Sequence, residues 1–257
     1  MFDRYVLYGL RAAMAALALQ SAGLAAAQDK PRSYAVISEM AREVSVTAYR
    51  EATGSRLDNN QRTRIPIPEG ALDRIALLTA QQALRQAEPG GRPFVLAPAD
   101  SDFFDGLQAV SPGDAVRLPA DLADALGQQG STHVLVFTRH RSDAQFRGKH
   151  TSFGSGKVEG MGFYVDQQTP TYDTETGEAG IGFLASHAYF RGTLIDVATA
   201  RVVRTEVALA SEARSAGTAK GSPNPWNTMT TAQKMSKLGQ FVKTEVERIV
   251  PLLVARP

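Results

Sequence analysis

Residues 186–209, SHAYFRGTLIDVATARVVRTEVAL, carry the clearest pattern in the chain. Tyr189, Arg191, Thr193, Ile195 and Val197 alternate with Phe190, Gly192, Leu194 and Asp196, a period of two built from β-branched and aromatic residues. Asp196 to Ala200 reads as a turn, and the alternation resumes at Arg201. The pattern predicts two long antiparallel strands at the middle of a sheet.

The rest of the chain supplies cover and further strands. Residues 34–38 and 43–50 read as short strands, with Val44, Val46 and Ala48 on one face and Ser45, Thr47 and Tyr49 on the other. Residues 51–68 hold Gly54, Asn59, Asn60, Pro66 and Pro68 without periodicity, which predicts a long loop of the kind that often carries function. Over 69–87, Leu72, Ile75, Ala76, Thr79 and Ala83 recur at helical spacing, and Pro89-Gly90-Gly91 ends the helix. A short buried strand over 93–98 and short helices over 100–104 and 119–128 follow. THVLVFT, 132–138, is a strong strand. A second hairpin has arms at 158–165 and 180–187, joined by a polar loop over 166–179. Residues 211–227 read as a crossing loop anchored by Trp226. The chain closes on a helix over 230–254, where Thr230 and Gln233 make a capping box ahead of an apolar stripe. The order gives an α+β, or mixed α/β, fold: a central, mostly antiparallel sheet with helices packed on it.

At 257 residues, 43% hydrophobic and 21% charged, the composition is that of a globular protein. The net charge of +2 implies no nucleic-acid partner by itself. Absence of cysteine removes disulfides, thiolate nucleophiles, cysteine metal sites and lipidation at an N-terminal Cys. Residues 1–27 have the layout of a secretory signal. Arg4 and Arg11 precede an Ala/Leu-rich run over 12–24, and Ala25-Ala26-Ala27 satisfies the small-x-small cleavage rule. The apolar run is shorter than the ~20 residues that span a bilayer. Residues 28–257 are then expected to form a single periplasmic or secreted α/β domain without a transmembrane segment.

Candidate chemistry is local. Gly180-Ile-Gly182-Phe-Leu-Ala185 has the letters of a dinucleotide fingerprint but opens a strand, and Gly154-Ser-Gly156-Lys157 lacks the Ser or Thr that a phosphate loop needs. No cofactor, metal site or catalytic constellation is expected. His140, Asp143 and His150 are the nearest approach to a ligand set, and His133 and His187 read as structural. Arg139, His140, Arg141, Arg147, Lys149, His150 and Lys157 make residues 139–157 strongly basic, while Asp166, Asp173, Glu175 and Glu178 make the following hairpin loop acidic. Such clusters mark an anion-binding or partner-docking face, or two solvated loops that pair with each other.

THVLV at 132–136 and Leu194-Ile-Asp-Val-Ala-Thr-Ala-Arg-Val-Val203 resemble the strand core of periplasmic α/β modules. Examples are the TolB N-terminal domain, the curli-secretion channel protein and the lipoprotein activator of penicillin-binding proteins. Ala200 stands where those families carry Gly, and their lipidation cysteine is absent. The mature chain also resembles an uncharacterised secreted proteobacterial family, in the blocks Tyr34-Ala-Val-Ile-Ser38, Gly54-Ser-Arg-Leu-Asp58 and Gly162-Phe-Tyr-Val-Asp166. The resemblance implies a compartment and no activity. The expected function is a non-enzymatic periplasmic module for envelope assembly or protein binding, its partner an envelope protein or a second copy. The alternatives are a hydrolase-like enzyme whose Arg56, Asp58, His140, Asp143 and His150 converge from the 51–68 and 139–157 loops, or an anion-binding protein.

Overall fold

The computed structural model describes residues 31–51, 58–67, 70–96, 102–147, 152–172, 177, 179–216 and 224–256. The expected signal over 1–27 lies outside them. In chain order the strands are β1 (Ser33–Glu39), β2 (Glu43–Ala48), β3 (Gln61–Pro66), β4 (Arg92–Val95), β5 (His133–Arg139), β6 (Arg141–Asp143), β7 (Phe146–Arg147), β8 (Ser152–Phe153), β9 (Lys157–Tyr172), β10 (Ala179–Asp196) and β11 (Arg201–Ser215). Helix α1 (Ala71–Ala87) lies between β3 and β4, α2 (Asp102–Gly106) and α3 (Ala120–Gln128) between β4 and β5, and α4 (Thr231–Val254) closes the chain. The fold is mixed α+β.

β10 is the spine. β11 pairs along one side of it from Phe183 to Asp196. The other side is shared end to end: β9 pairs with residues 179–189 and β5 with residues 190–196, both antiparallel. β1 lies parallel to β5, and β2 lies parallel to β9. β1 and β2 therefore follow one line through the sheet, interrupted at residues 40–42, and β5 and β9 follow the next, interrupted at 140–156. Two half-sheets share one unbroken β10–β11 ribbon, and the break between them lies level with Tyr189 and Phe190.

One face of the sheet is covered continuously. Tyr34, Val36, Leu135, Phe137, Phe163, Leu184 and Phe190 pack against α1 and α4, whose buried stripes include Leu72, Ala76, Ala80, Leu238, Val242, Val246 and Ile249. The capping box at Thr230 and Gln233 is formed. The other face is covered twice. Phe103 and Phe104 of α2, the following Leu107, and Leu126 of α3 cap Ile37, Val134, Val136 and Ile195. Phe146, Val158 and Phe153 of the β5–β9 excursion cap Tyr164, Phe183 and Tyr189. The strip between these covers stays open.

Several boundaries differ from the sequence reading. Residues 61–66 are a strand, antiparallel to β2, inside the stretch expected to be loop. QRTRIP is exposed throughout, so no buried face gave it a period. The arms at 180–187 and 186–196 are one strand, because β10 bends past a register shift at Ile181/Phe183 without leaving the sheet. β9 extends through the polar residues 167–172 and β11 to Ser215, consuming parts of two expected loops. β4 is a half-exposed edge strand rather than a buried one. The expected helix start at Pro68 and Glu69 lies outside the described residues, as do 97–101.

Candidate functional site

The open strip between the two covers is a cleft of about 580 Å³ at the break in the sheet. Its position follows from three local features. The chain leaves β1 at Glu39, turns through the buried Met40 and Ala41, and re-enters the sheet at Glu43. Asp73, in the first turn of α1, holds this corner by accepting hydrogen bonds from the Ser38 hydroxyl (2.5 Å) and the Met40 amide (2.9 Å). On the next line, β5 ends at Arg139, and the chain returns only at Gly160, whose amide donates to the His140 carbonyl at 3.1 Å. Gly160 has φ +64°, a conformation that strains any side-chain-bearing residue.

Period-two geometry puts the same face of each strand into the cleft. β1 contributes Glu39, β5 contributes Thr138, and β2 contributes Glu43, Ser45 and Thr47. Glu39 and Thr138 are direct neighbours in the ladder, and Thr138 in turn lies opposite Arg191 of β10. Arg62 and Arg64 enter from β3, Asp105 from α2, and Arg139, Arg141, Lys157 and Glu159 from the ends of the excursion.

Most of these charges are paired. Arg139 reaches Glu159 (3.2 Å), Asp105 (3.6 Å) and Glu43 (3.8 Å), and Glu43 also receives Arg64 at 3.2 Å. Arg42 holds one oxygen of Glu39 at 2.8 Å. Arg62 is bound to Asp58, which also accepts the Lys157 amide at 3.1 Å, while the Lys157 ammonium pairs with Asp143 at 2.9 Å. Arg141 has no ion-pair partner among the described residues.

The floor is less satisfied than the rim. The hydroxyls of Thr47 and Thr138, each 1% exposed, and the second oxygen of Glu39 are buried without a hydrogen-bond partner. A buried polar atom without a partner costs about 1–3 kcal/mol, so these three are a local cost of the break in the sheet. Burial pushes the Glu39 carboxyl above its ordinary value, the Arg42 guanidinium works against that, and the Asp73 carboxylate adds to it. Burial raises Asp58 too, but hydrogen bonds from the Lys157 amide, Arg62 and the Asn60 amide outweigh it and hold the carboxyl low.

Of the basic residues picked out in the sequence, Arg139, Arg141 and Lys157 line the cleft together with Arg62 and Arg64. His140 sits at the bend behind them. Its backbone is tied to Tyr189 and Gly160, and its ring is held below its ordinary pKa by burial and by Arg191, against the opposing pull of Glu159. Arg147 lies elsewhere, on β7 beside Ser211 of β11. Lys149 and His150 lie outside the described residues, as do Arg56 and the acidic Asp173, Glu175 and Glu178. The expected mutual pairing of the basic and acidic loops is not what Asp166 does. It is buried and accepts from the Gln168 and Thr169 amides and the Thr169 hydroxyl, closing its own turn. The cluster expected for an enzyme is brought together in part. Asp58 and Asp143 meet at Lys157, and His140 is not among the residues lining the cleft. Among the described residues no cluster of three His, Asp or Glu side chains is arranged for a metal.

Sequence reading missed Glu39, Glu43, Thr47, Arg62, Arg64 and Thr138. The usable signal was the pair of charged or polar residues that ends an otherwise apolar strand, Ser38-Glu39 and Thr138-Arg139, where buried strands continue apolar.

No protein-family model matches the chain, and the comparison with curated proteins found no match. Solved structures that share features with it include the PelC dodecamer from Paraburkholderia phytofirmans, 11% identical, TM-score 0.33, covering 90% of this chain and 93% of that one. A neuraminyllactose-binding hemagglutinin homolog from Helicobacter pylori is 10% identical with TM-score 0.40, covering 87% and 88%. A Xanthomonas campestris protein of the DUF330 family is 10% identical with TM-score 0.36, covering 88% of each chain. These values mark a distant likeness, and what those proteins bind or assemble into is theirs. No helix among the described residues is long and apolar enough to cross a membrane.

Proposed function

We propose that residues 28–257 form a single non-enzymatic module of the bacterial cell envelope, exported by the 1–27 segment, whose sheet-break cleft docks another polypeptide. The observation that carries this is the cleft rim, an open strip lined by paired charges of both signs on which Arg141 has no ion-pair partner among the described residues. Small-molecule pockets are mostly apolar and enclosed. This cleft is open, polar and bordered by charges of both signs, the composition through which protein partners are steered and oriented. The purified protein and its Arg141→Glu variant, each cross-linked in envelope extract, test the reading. The expected result is an envelope partner, or a second copy, joined to the wild type through cleft residues and lost from the variant. Cross-links that avoid the cleft would overturn it.

The guanidinium of Arg141, without an ion-pair partner among the described residues, also favours a second reading, an anion-binding protein. Heparin retention that falls with salt and is lost in Arg141→Ala would select it.

A further inference from the structure

The excursion between β5 and β9 covers one end of the sheet with little structure of its own. Its described parts over the sheet, residues 144–147 and 152–156, share a ladder of two residue pairs, Phe146 opposite Phe153 and Arg147 opposite Ser152. The hydrogen bonds that tie it to the strands beneath are long. The Tyr189 hydroxyl donates to the Gln145 carbonyl at 3.3 Å, the Arg147 amide to the Ser211 hydroxyl at 3.4 Å and the Ser155 amide to the Tyr164 hydroxyl at 3.2 Å. Phe146 is the plug. It is fully buried, with its ring 4.9 Å from Tyr164 and stacked 5.9 Å from His187. Segments held by few contacts open locally while the rest of a fold stays intact. The main core, between the sheet and the helices α1 and α4, lies on the opposite face and would be untouched.

His187 lies beneath the plug. Gly162 of β9 and Ser211 of β11 are its ladder neighbours, the Gly160 carbonyl accepts its Nδ1 proton at 3.1 Å, and the Tyr189 ring crosses it at 5.4 Å. These walls belong to the sheet, whereas Phe146 belongs to the excursion. Nε2 has no partner among the described residues. The titratable groups on the elements around the ring are Arg141 and Asp143 of β6, Arg147 of β7, Lys157, Glu159 and Tyr164 of β9, and Tyr189 of β10. Asp143 pairs with Lys157, and burial raises both phenols, keeping them neutral. None of these groups acts on His187 by charge. Its affinity for a proton answers to burial, which lowers it, and to the Gly160 hydrogen bond, which partly restores it. An imidazolium formed in the closed site would hold an Nε2 proton against apolar surroundings, a costly arrangement that water at Nε2 relieves.

We propose that residues 144–147 and 152–156 form a cover that lifts off the sheet on acidification, with His187 as the proton acceptor that drives it. Closed, the ring binds its second proton at about 4; in contact with water it binds near 6.5. The open form therefore takes the proton first, and falling pH moves the population toward it. Between pH 7 and pH 5 that difference raises the open population by about 20-fold. Asp58 is not the trigger. Its carboxyl is held low, so at pH 5 it still accepts the Lys157 amide and fixes the root of the excursion. Lifting the cover uncovers Tyr164, Phe183 and Tyr189, an aromatic surface beside the cleft that Arg141 and Lys157 line. The opening does not depend on what the cleft binds.

Amide hydrogen exchange of the purified protein, corrected for the intrinsic effect of pH on exchange, reads the opening directly. The Ala144 and Ser155 amides, bound to the Gly156 carbonyl and the Tyr164 hydroxyl, are the reporters. Their protection is expected to fall by about 20-fold from pH 7 to pH 5, while the β5 amides from Val134 to Phe137 keep theirs. His187→Leu, which removes the titrating ring, is expected to abolish the response, and His140→Gln and His150→Gln to retain it. Phe146→Ala removes the plug and leaves the body of the sheet intact, so it decides the matter even if His187→Leu does not fold. It is expected to lower protection already at pH 7 and to move the His187 titration, followed by NMR, from about 4 toward 6.5. Unchanged wild-type protection, an equal fall in His187→Leu, or a fall shared by β5 overturns the proposal. So does a response lost in His140→Gln or His150→Gln, or a His187 titration that Phe146→Ala leaves in place.

Discussion

Burial at single positions sets how this protein responds to acid. His187 is fully buried, its ring stacked 5.9 Å from Phe146, and its Nδ1 proton is donated to the Gly160 carbonyl at 3.1 Å. The opposite nitrogen, Nε2, has no partner. Desolvation brings its pKa down to about 4, against a smaller opposing effect of the Gly160 hydrogen bond. In the unfolded chain the ring titrates near 6.5. The unfolded state therefore binds the extra proton first. His187 leaves stability untouched above about 6.5, and stability falls as the pH drops from there to about 4, by on the order of 3 kcal/mol in all. Urea unfolding at pH 7 and pH 4.5 should show a smaller loss for His187→Leu than for the wild type. Equal losses would mean that this ring is not the sensor.

Ala200 is the second telling residue. It turns the β10–β11 hairpin with φ +48°, the only non-glycine residue with positive φ among those described. A left-handed conformation costs an alanine about 1–2 kcal/mol, partly offset in glycine by the greater entropy of the unfolded chain. Ala200→Gly should thus stabilise the protein by about 0.5–1 kcal/mol in chemical denaturation.

Among the elements, β2 and β9 meet at a glycine that leaves no room for a side chain. Gly162 lies opposite Ser45, and a Cβ on it would run into the Ser45 carbonyl and hydroxyl. Backbone cannot move aside as a flexible side chain can, so Gly162→Ala should cost about 3 kcal/mol and open the cleft's β2 wall. The check is a urea midpoint lowered at unchanged m-value, with crystal coordinates showing β2 displaced. The helix α1 and the corner at 40–42 are coupled similarly through Asp73. The legible parts of the sequence were those with a buried stripe or face. The alternation at 189–197, the capped closing helix and THVLVFT all describe packing against a core, and all appear as elements. β3 was illegible because nothing covers it. Lys234 was illegible for the opposite reason. It is a charged residue inside an apolar stripe, and it is buried because its ammonium donates to the Trp226 and Met229 carbonyls, both at 2.7 Å, while lying over the Trp226 ring.

At the scale of the whole molecule, the cleft arises from the topology rather than from a motif. The basic run at 139–157 was visible in sequence, and three of its members line the cleft. The acids that answer Arg139 from outside the run, Glu43 and Asp105, come from segments roughly 95 and 35 residues away, and only the fold brings them alongside. No local spacing records that β5 and β9 lie end to end on one side of β10.

Beyond the body of the sheet, β9 and β10 continue as a two-stranded arm, with Ala179 opposite Tyr172 and Ile181 opposite Pro170, whose length is counted in residues. Tyr172 and Ile181 are exposed on one side of it, and Thr171 turns to the other, where its hydroxyl meets the Gly182 carbonyl. Each residue removed from both strands would shorten it by about 3.4 Å and rotate the outward face by half a turn. An even number of pairs would keep Tyr172 and Ile181 on their present side, whereas an odd number would send them to the side now held by Thr171. The reach of the arm is therefore adjustable only in steps of about 7 Å, so homologous arms that keep this apolar face outward should differ in length by even numbers of residue pairs.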